Sequence, residues 1–111
     1  MLGIDGKQSI YPEFYNNMAR FGFKDIVVPQ IGKSLDIAEM WNVPISVLFI
    51  DAEHDYDSVR ADFAAWGALV QDAICFHDYC ASWPGVIKFV DSVLRFFRVH
   101  YLVGDMMVCR F

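Results

Sequence analysis

Residues 45–56 constrain the fold of this chain more than any other segment. Residues 45–50 are rich in β-branched and aromatic side chains, and acids, a histidine and a tyrosine follow them directly. This pattern is typical of a buried strand in an α/β sheet, whose carboxyl end delivers polar residues to the edge where such sheets bind ligands. Residues 73–76 repeat it and lead into His77 and Asp78. The sequence therefore predicts two neighbouring buried strands with polar carboxyl ends.

Each of these two strand ends carries a histidine and an aspartate. Asp51 and His54 follow the first strand, and His77 and Asp78 follow the second. Carboxylate oxygens and imidazole nitrogens bind divalent cations, and histidine is the commonest general base. The residue types leave three alternatives open: a cation site, an acid/base site, or structural roles such as a helix cap for Asp51 and an ordinary hydrogen bond for His77.

The rest of the pattern alternates helices with strands. Helices are predicted at residues 11–21, 34–41, 58–69 and 86–97, and further strands at 25–31, 99–103 and 106–111. Ser34 is the predicted N-cap of the second helix, and Asp57, or equally well Asp55, is the predicted N-cap of the third. The alternation predicts an α/β fold with a mostly parallel sheet, which ends in an antiparallel hairpin around Gly104 and Asp105. A length of 111 residues suits a single domain, residues 1–111.

Composition narrows the classes of partner. Hydrophobic residues make up 56% of the chain and the mean hydropathy is +0.31, which predicts apolar surface covered by another subunit. A net charge of −5 with scattered basic residues argues against nucleic-acid binding. The apolar runs are too short to span a membrane, and the amino terminus lacks a signal-peptide pattern. Three cysteines suit reduced thiols in a cytoplasmic protein.

Four sequence blocks, in this order and spacing, resemble class I methyltransferases that depend on S-adenosylmethionine. The blocks are FIDAEHDY at residues 49–56, VRADF with Trp66 at residues 59–66, HDY at residues 77–79, and WPGV at residues 83–86. They are most similar to the branch of cephalosporin hydroxylase-like and sugar O-methyltransferase proteins. The resemblance covers nearly the whole chain and implies a Rossmann-like sheet.

The resemblance implies a cofactor site and a metal site. Asp5 corresponds to the acid that binds the cofactor ribose, Ser34 to the loop that passes the adenine, and Asp51 to a further residue at the cofactor. Asp51 and Asp78 also correspond to carboxylates that hold a divalent cation, Mg²⁺ in the metal-dependent members. His77 stands where some members have another acidic ligand.

The resemblance also implies a catalytic base. His54 follows Asp51 by three residues and matches the histidine proposed as general base in some sugar O-methyltransferases. Transfer of a methyl group to a hydroxyl needs a polarised or deprotonated oxygen. A cation lowers the pKa of a hydroxyl that it binds, and a histidine can take the proton.

The chain departs from the family at the cofactor-binding turn, and this departure bears on whether it can catalyse methyl transfer. The family begins with a strand and a Gly-rich turn that holds the methionine end of the cofactor, and this chain begins at the counterpart of the second strand, with no Gly-x-Gly pattern. The implied sheet is truncated, and we expect a homodimer, another oligomer or a complementing chain to repair the gap. Independent catalysis is therefore not expected. The alternatives are a non-catalytic oligomer that binds a small ligand or metal, and an interaction protein that captures a strand.

Overall fold

The computed structural model describes residues 11–111. Asp5 and the short strand predicted before it lie outside the described residues. The chain consists of two compact units, of which the first ends at Lys33 and the second spans Ser34–Phe111. The expectation of one domain over residues 1–111 stays a prediction.

In the first unit, helix α1 spans Tyr11–Arg20, as the sequence pattern predicts to within one residue. Gly22 follows it with φ +79°, a left-handed conformation that commonly ends a helix. The strand predicted at residues 25–31 is wrong, because these residues form turns and irregular backbone. Pro29 has no N–H to donate to a ladder, and Ile26 and Val28 stay 74% and 73% exposed. High β-propensity alone does not make a strand where no neighbouring strand pairs with it.

The second unit alternates helices and strands. Its elements are α2 (Ser34–Met40), β1 (Ile45–Ile50), α3 (Tyr56–Trp66), β2 (Val70–Phe76), α4 (Pro84–Val93), β3 (Val99–Val103) and β4 (Met106–Arg110). Short 3₁₀ turns extend α3 and α4. No helix among residues 11–111 is both long and apolar enough to cross a bilayer.

The four strands form one sheet in the order β1-β2-β4-β3. β1 and β2 are parallel, whereas β4 is antiparallel to both β2 and β3. Gly104, with φ +62°, occupies the first position of the two-residue turn that joins β3 to β4. This arrangement confirms the predicted α/β, Rossmann-like class and its C-terminal antiparallel hairpin. Among the described strands, one of the three pairings, β1–β2, is parallel, and the other two are antiparallel.

The core lies between the sheet and helices α3 and α4. Ile50, Phe76 and Met107 occupy one register row across three strands, and all three are buried. Val86 and Val90 of α4 pack against them and are 1% and 0% exposed. Because this packing holds β1 beside β2, it sets where the carboxyl ends of these strands lie.

The three cysteines are all free. Cys75 and Cys109 are buried in neighbouring strands. Burial, with a smaller contribution from Cys75, raises the pKa of Cys109 to about 11. Cys109 therefore stays a protonated thiol at neutral pH, as expected for a small apolar core residue.

Candidate functional site

The carboxyl ends of β1 and β2 bring Asp51 and His77 together. Ile50 pairs with Phe76 at the end of the parallel ladder, and the His77 N–H donates to the Ile50 carbonyl at 3.1 Å. The next side chains along both strands are therefore neighbours. His77 Nδ1 lies 2.9 Å from Asp51 Oδ1, a hydrogen bond between residues 26 apart in sequence.

Asp78 is the carboxylate that both histidines share. Its Oδ2 lies 2.7 Å from His54 Nε2, and its Oδ1 lies 3.2 Å from His77 Nδ1. The Asp78 backbone has φ +59°, the only positive φ of a non-glycine residue among residues 11–111. Aspartate tolerates this left-handed region better than most residues, but such backbone is uncommon and concentrates at functional sites. The structure thus joins the two sequence-predicted pairs into one cluster.

Trp83 holds the imidazole of His54 by stacking. The two rings lie 4.1 Å apart between centroids at an angle of 18°. Trp83 immediately precedes α4, and Gly85 in the first turn of α4 approaches the start of α3. A Cβ at Gly85 would lie 2.7 Å from the Tyr56 backbone nitrogen, so the approach requires glycine. This contact keeps the loop that carries His54 next to Trp83.

The helix cap that follows β1 is Asp55, one of the two predicted candidates, and not Asp57. Asp55 has extended backbone, and its carboxylate accepts a hydrogen bond from the Ser58 N–H at 3.2 Å. This hydrogen bond is the main reason that the pKa of Asp55 is lowered. Asp57 lies inside the first helical turn, where it cannot act as the cap. Since Asp55 caps α3, the structural alternative for Asp51 as a helix cap is also wrong.

Asp105 belongs to the same cluster, although the sequence pattern assigned it only to a turn. Its Oδ1 lies 3.4 Å from His77 Nε2, and its carbonyl accepts a hydrogen bond from the Tyr79 N–H at 2.8 Å. The acid is visible in the sequence as part of the Gly104–Asp105 turn. Its proximity to His77 follows from β4 pairing with β2, which no local pattern indicates.

Tyr79 is anchored at the edge of this cluster. Its hydroxyl donates to Asp91 Oδ1 at 2.6 Å. This hydrogen bond, with smaller contributions from burial and the Asp91 charge, raises the pKa of Tyr79 to about 12. Tyr79 therefore stays protonated at neutral pH and has a structural role.

The acids surrounding His77 change its titration. Partial burial works to lower the pKa of His77, but the hydrogen bond to Asp51 and the negative charges of Asp51, Asp78 and Asp105 outweigh it and raise the pKa. The ring therefore keeps its second proton to a higher pH than a free histidine does. A cation that binds Nδ1 has to displace that proton.

Two overlapping sets of side chains have the spacing of cation ligands. One set is Asp51, His54 and Asp78, and the other is His77, Asp78 and Asp105; within each, the ligand atoms lie within 4.8 Å of one another. Asp78 belongs to both. Carboxylate oxygens suit Mg²⁺, and the added imidazole nitrogen suits a transition metal such as Mn²⁺ as well. The donor atoms therefore fit a divalent cation.

Ser34 lies beside a groove next to β1, in contact with Asp62 and Trp66, two residues of the second sequence block to which the sequence pattern assigned no site role. Ser34 is the first residue of α2 and not the capping residue before it. Its hydroxyl donates to Asp62 Oδ1 at 2.8 Å. The same hydroxyl accepts from Trp66 Nε1 at 2.7 Å. The groove has a volume of about 220 Å³ and is lined by Ser34, Asp51, Asp62, Trp66 and apolar residues of β1. Two predicted cofactor residues, Ser34 and Asp51, thus line the same groove.

We expect Ser34→Ala to lower the free energy of unfolding by about 1–3 kcal/mol, because it removes a partner from buried Asp62 and from the Trp66 N–H. Urea denaturation measures the change. Ser82→Ala, at an exposed loop position, is the matched control and should stay within about 0.5 kcal/mol of the wild type. Equal losses in the two variants would contradict the network.

One comparison with known proteins bears on this site. Residues 2–79 match the model of a protein family described as a methyltransferase domain. The matched range contains β1, β2 and every residue that the sequence predicted for the site, from Asp5 to Asp78. Trp83 and Asp105, which complete the cluster, lie after it.

Proposed function

Because the chain belongs to the methyltransferase domain family, we propose that it derives from an O-methyltransferase that uses S-adenosylmethionine. The branch we propose is the one of cephalosporin hydroxylase-like and sugar O-methyltransferase proteins. The observation that carries the proposal is the cluster at the carboxyl ends of β1 and β2. There Asp78 contacts both His54 and His77, and Asp51 contacts His77.

The cofactor would occupy the groove beside β1. Apolar walls from the strand, with the Asp51 carboxylate and the Ser34 network, suit the nucleoside part of S-adenosylmethionine. Asp5 is proposed as a ribose ligand on the resemblance alone. The groove of about 220 Å³ is smaller than typical ligand pockets of about 300–1,000 Å³, so it suits only part of such a cofactor.

The sequence pattern that would bind the remaining part of the cofactor does not occur in these 111 residues. They contain no Gly-x-Gly turn that would contact the methionine end. Polar cofactor groups without partners cost binding free energy. The isolated chain is therefore proposed to bind the cofactor weakly and not to catalyse methyl transfer by itself.

Asp51, His77 and Asp78 are proposed to hold a divalent cation; Asp78 belongs to both ligand sets, whereas Asp51 and His77 each belong to one. A bound cation would lower the pKa of the acceptor hydroxyl. The chain's own part is to present two carboxylates and to orient them, since His77 contacts both. Mg²⁺ follows from the resemblance, and the imidazole donor adds Mn²⁺ as a candidate.

His54 is proposed as the proton acceptor. Asp78 contacts its Nε2, which favours the tautomer with the proton on that nitrogen and leaves Nδ1 to take a proton. A groove of about 420 Å³ lies beside it, lined by Glu53, His54, Asp55, Tyr56, Trp83 and Gly85. This groove is the proposed place of the acceptor hydroxyl.

The second candidate is a non-catalytic module that binds a cation or small ligand. The cation-ligand sets favour it, because they consist of residues in the second unit and need no cofactor contact. The two candidates predict different results for S-adenosylhomocysteine, the demethylated form of the cofactor. The first candidate predicts that it binds, and the second predicts that it does not.

Calorimetric titration with S-adenosylhomocysteine, with and without Mg²⁺ or Mn²⁺, tests the proposal. We expect weak binding, in the high-micromolar to millimolar range, that is lost in Asp51→Asn. Micromolar binding would contradict the proposal that the cofactor site is incomplete, and it would favour an enzyme that acts as an isolated chain. No binding at millimolar ligand, together with retained cation binding, would favour the non-catalytic module.

A further inference from the structure

Strand β3 has the features of an edge that pairs with another chain. It is an outer strand of the sheet, and no strand among residues 11–111 pairs with its outer edge. All five of its side chains are exposed, and four are apolar: Val99 (48%), Tyr101 (47%), Leu102 (53%) and Val103 (54%). Edge strands are normally protected from pairing by lysine, by proline or by a very short length. Strand β3 contains neither lysine nor proline.

The hairpin geometry identifies the backbone groups on the open edge. Val103 and Met106 flank the two-residue turn, and the residues that flank such a turn form a hydrogen-bonded pair. Antiparallel pairs alternate between bonded and non-bonded, so Tyr101 and Val99 also bond to β4. The N–H and C=O groups of His100 and Leu102 therefore point away from β4, towards the open edge.

We propose that β3 pairs antiparallel with β3 of a second copy of this chain, about a two-fold axis at Tyr101. In this register His100 of each copy faces Leu102 of the other. All the outward backbone groups of these two residues then find partners across the axis. Tyr101 faces its own counterpart, and the two four-stranded sheets become one of eight strands. An interface of this kind, in which the same surface meets itself, is the commonest form of homodimer.

The charges at the two ends of β3 favour this pairing. Arg98 immediately precedes the strand, and Asp105 lies in the turn that follows it. Antiparallel self-pairing places Arg98 of each copy beside the Gly104–Asp105 turn of the other, so opposite charges meet at both ends. Parallel pairing would instead bring like charges together, which is unfavourable in a chain of net charge −5. The charge pattern therefore favours a second copy as the occupant of the edge.

A cysteine placed on the two-fold axis tests the register. Facing residues of a non-hydrogen-bonded pair have Cα atoms about 4.5 Å apart, which is within disulfide reach. We expect Tyr101→Cys to form a disulfide-linked dimer on mild oxidation, read on a non-reducing gel. Val99→Cys is the matched control, because its partner across the axis would be Val103, and it should not cross-link. An uncross-linked Tyr101→Cys, or equal cross-linking of both variants, would overturn the proposal.

The oligomeric state tests the edge itself. We expect the wild type to sediment as a dimer at micromolar concentration and Leu102→Pro as a monomer with an unchanged circular dichroism spectrum. Proline removes an outward N–H and leaves the β3–β4 ladder intact. Should Leu102→Pro misfold, Arg98→Glu replaces it and is expected to raise the dimer dissociation constant at least tenfold. A monomeric wild type, or dimers unaffected by these substitutions, would overturn the proposal whether or not the chain binds S-adenosylhomocysteine.

Discussion

Asp78→Asn is expected to weaken divalent-cation binding by about 100-fold or more, because Asp78 belongs to both ligand sets and contacts both histidines. The amide retains the shape of the side chain but loses the negative charge. Calorimetric titration with Mn²⁺ and with Mg²⁺ measures the loss. Asp72→Asn, which removes an exposed carboxylate at the opposite end of β2, is the matched control and should bind as the wild type does. A loss of equal size in the control would show that total negative charge, not a built site, attracts the cation.

Histidine variants separate the proposed ligand from the proposed base. His77→Gln should weaken cation binding, since the imidazole nitrogen is a proposed ligand and also orients Asp51. His54→Gln should weaken cation binding less than His77→Gln does if His54 acts as the proton acceptor, because His54 then contacts one proposed ligand, Asp78, and is not a ligand itself. The reverse result would assign His54 to the cation through the set that it forms with Asp51 and Asp78. His77 would then be the residue that orients Asp51.

Phe76→Ala is expected to lower the free energy of unfolding by about 3–5 kcal/mol, the range for removing a buried phenylalanine ring. Phe76 is 1% exposed and packs against Phe63 and Phe89, with ring centroids 6.2 Å away in both cases. Small domains are stable by only about 5–15 kcal/mol, so the loss removes a large share of the total. Urea denaturation followed by circular dichroism measures it.

Phe96→Ala is the control for this prediction. Phe96 lies in the short 3₁₀ turn after α4, is 60% exposed, and has Arg95 over its ring at 4.8 Å. Its removal should cost no more than about 1 kcal/mol, the range of an exposed cation–π contact. Similar losses in the two variants would contradict a core centred on Phe76. Because Phe76 ends β2 immediately before His77, the Phe76→Ala variant should also bind cations more weakly.

Local pattern was sufficient for the elements that carry the site. The β-branched and aromatic run predicts β1 at Ile45–Ile50, and the structure has these same bounds. The Gly104–Asp105 turn predicts the final hairpin, because glycine there tolerates the positive φ that a tight turn requires. Both signals are local, since they depend on the residue's own side chain and on its immediate neighbours.

Local pattern failed where the outcome depends on a partner. Residues 25–31 have strong β-propensity but form no strand, because a strand requires a neighbour to accept its hydrogen bonds. The sequence could not choose between Asp55 and Asp57 as the N-cap of α3, because both are good capping residues and only the path of the loop after β1 selects Asp55. Such choices cost about 1 kcal/mol locally and are readily reversed by tertiary contacts.

Two aspartates and two histidines follow two strands that local pattern predicts, and these residue types set the chemistry available at the site. Which of their atoms meet depends on how the strands and helices pack. Parallel pairing of β1 with β2 brought Asp51 to His77, and the left-handed backbone of Asp78 accompanies its contacts with both histidines. The packing also added Trp83 and Asp105, which reach the cluster from α4 and from the β3–β4 turn. The reason is physical, because side-chain type is a local property, whereas a distance of 3 Å between residues far apart in sequence is set by how the strands and helices pack.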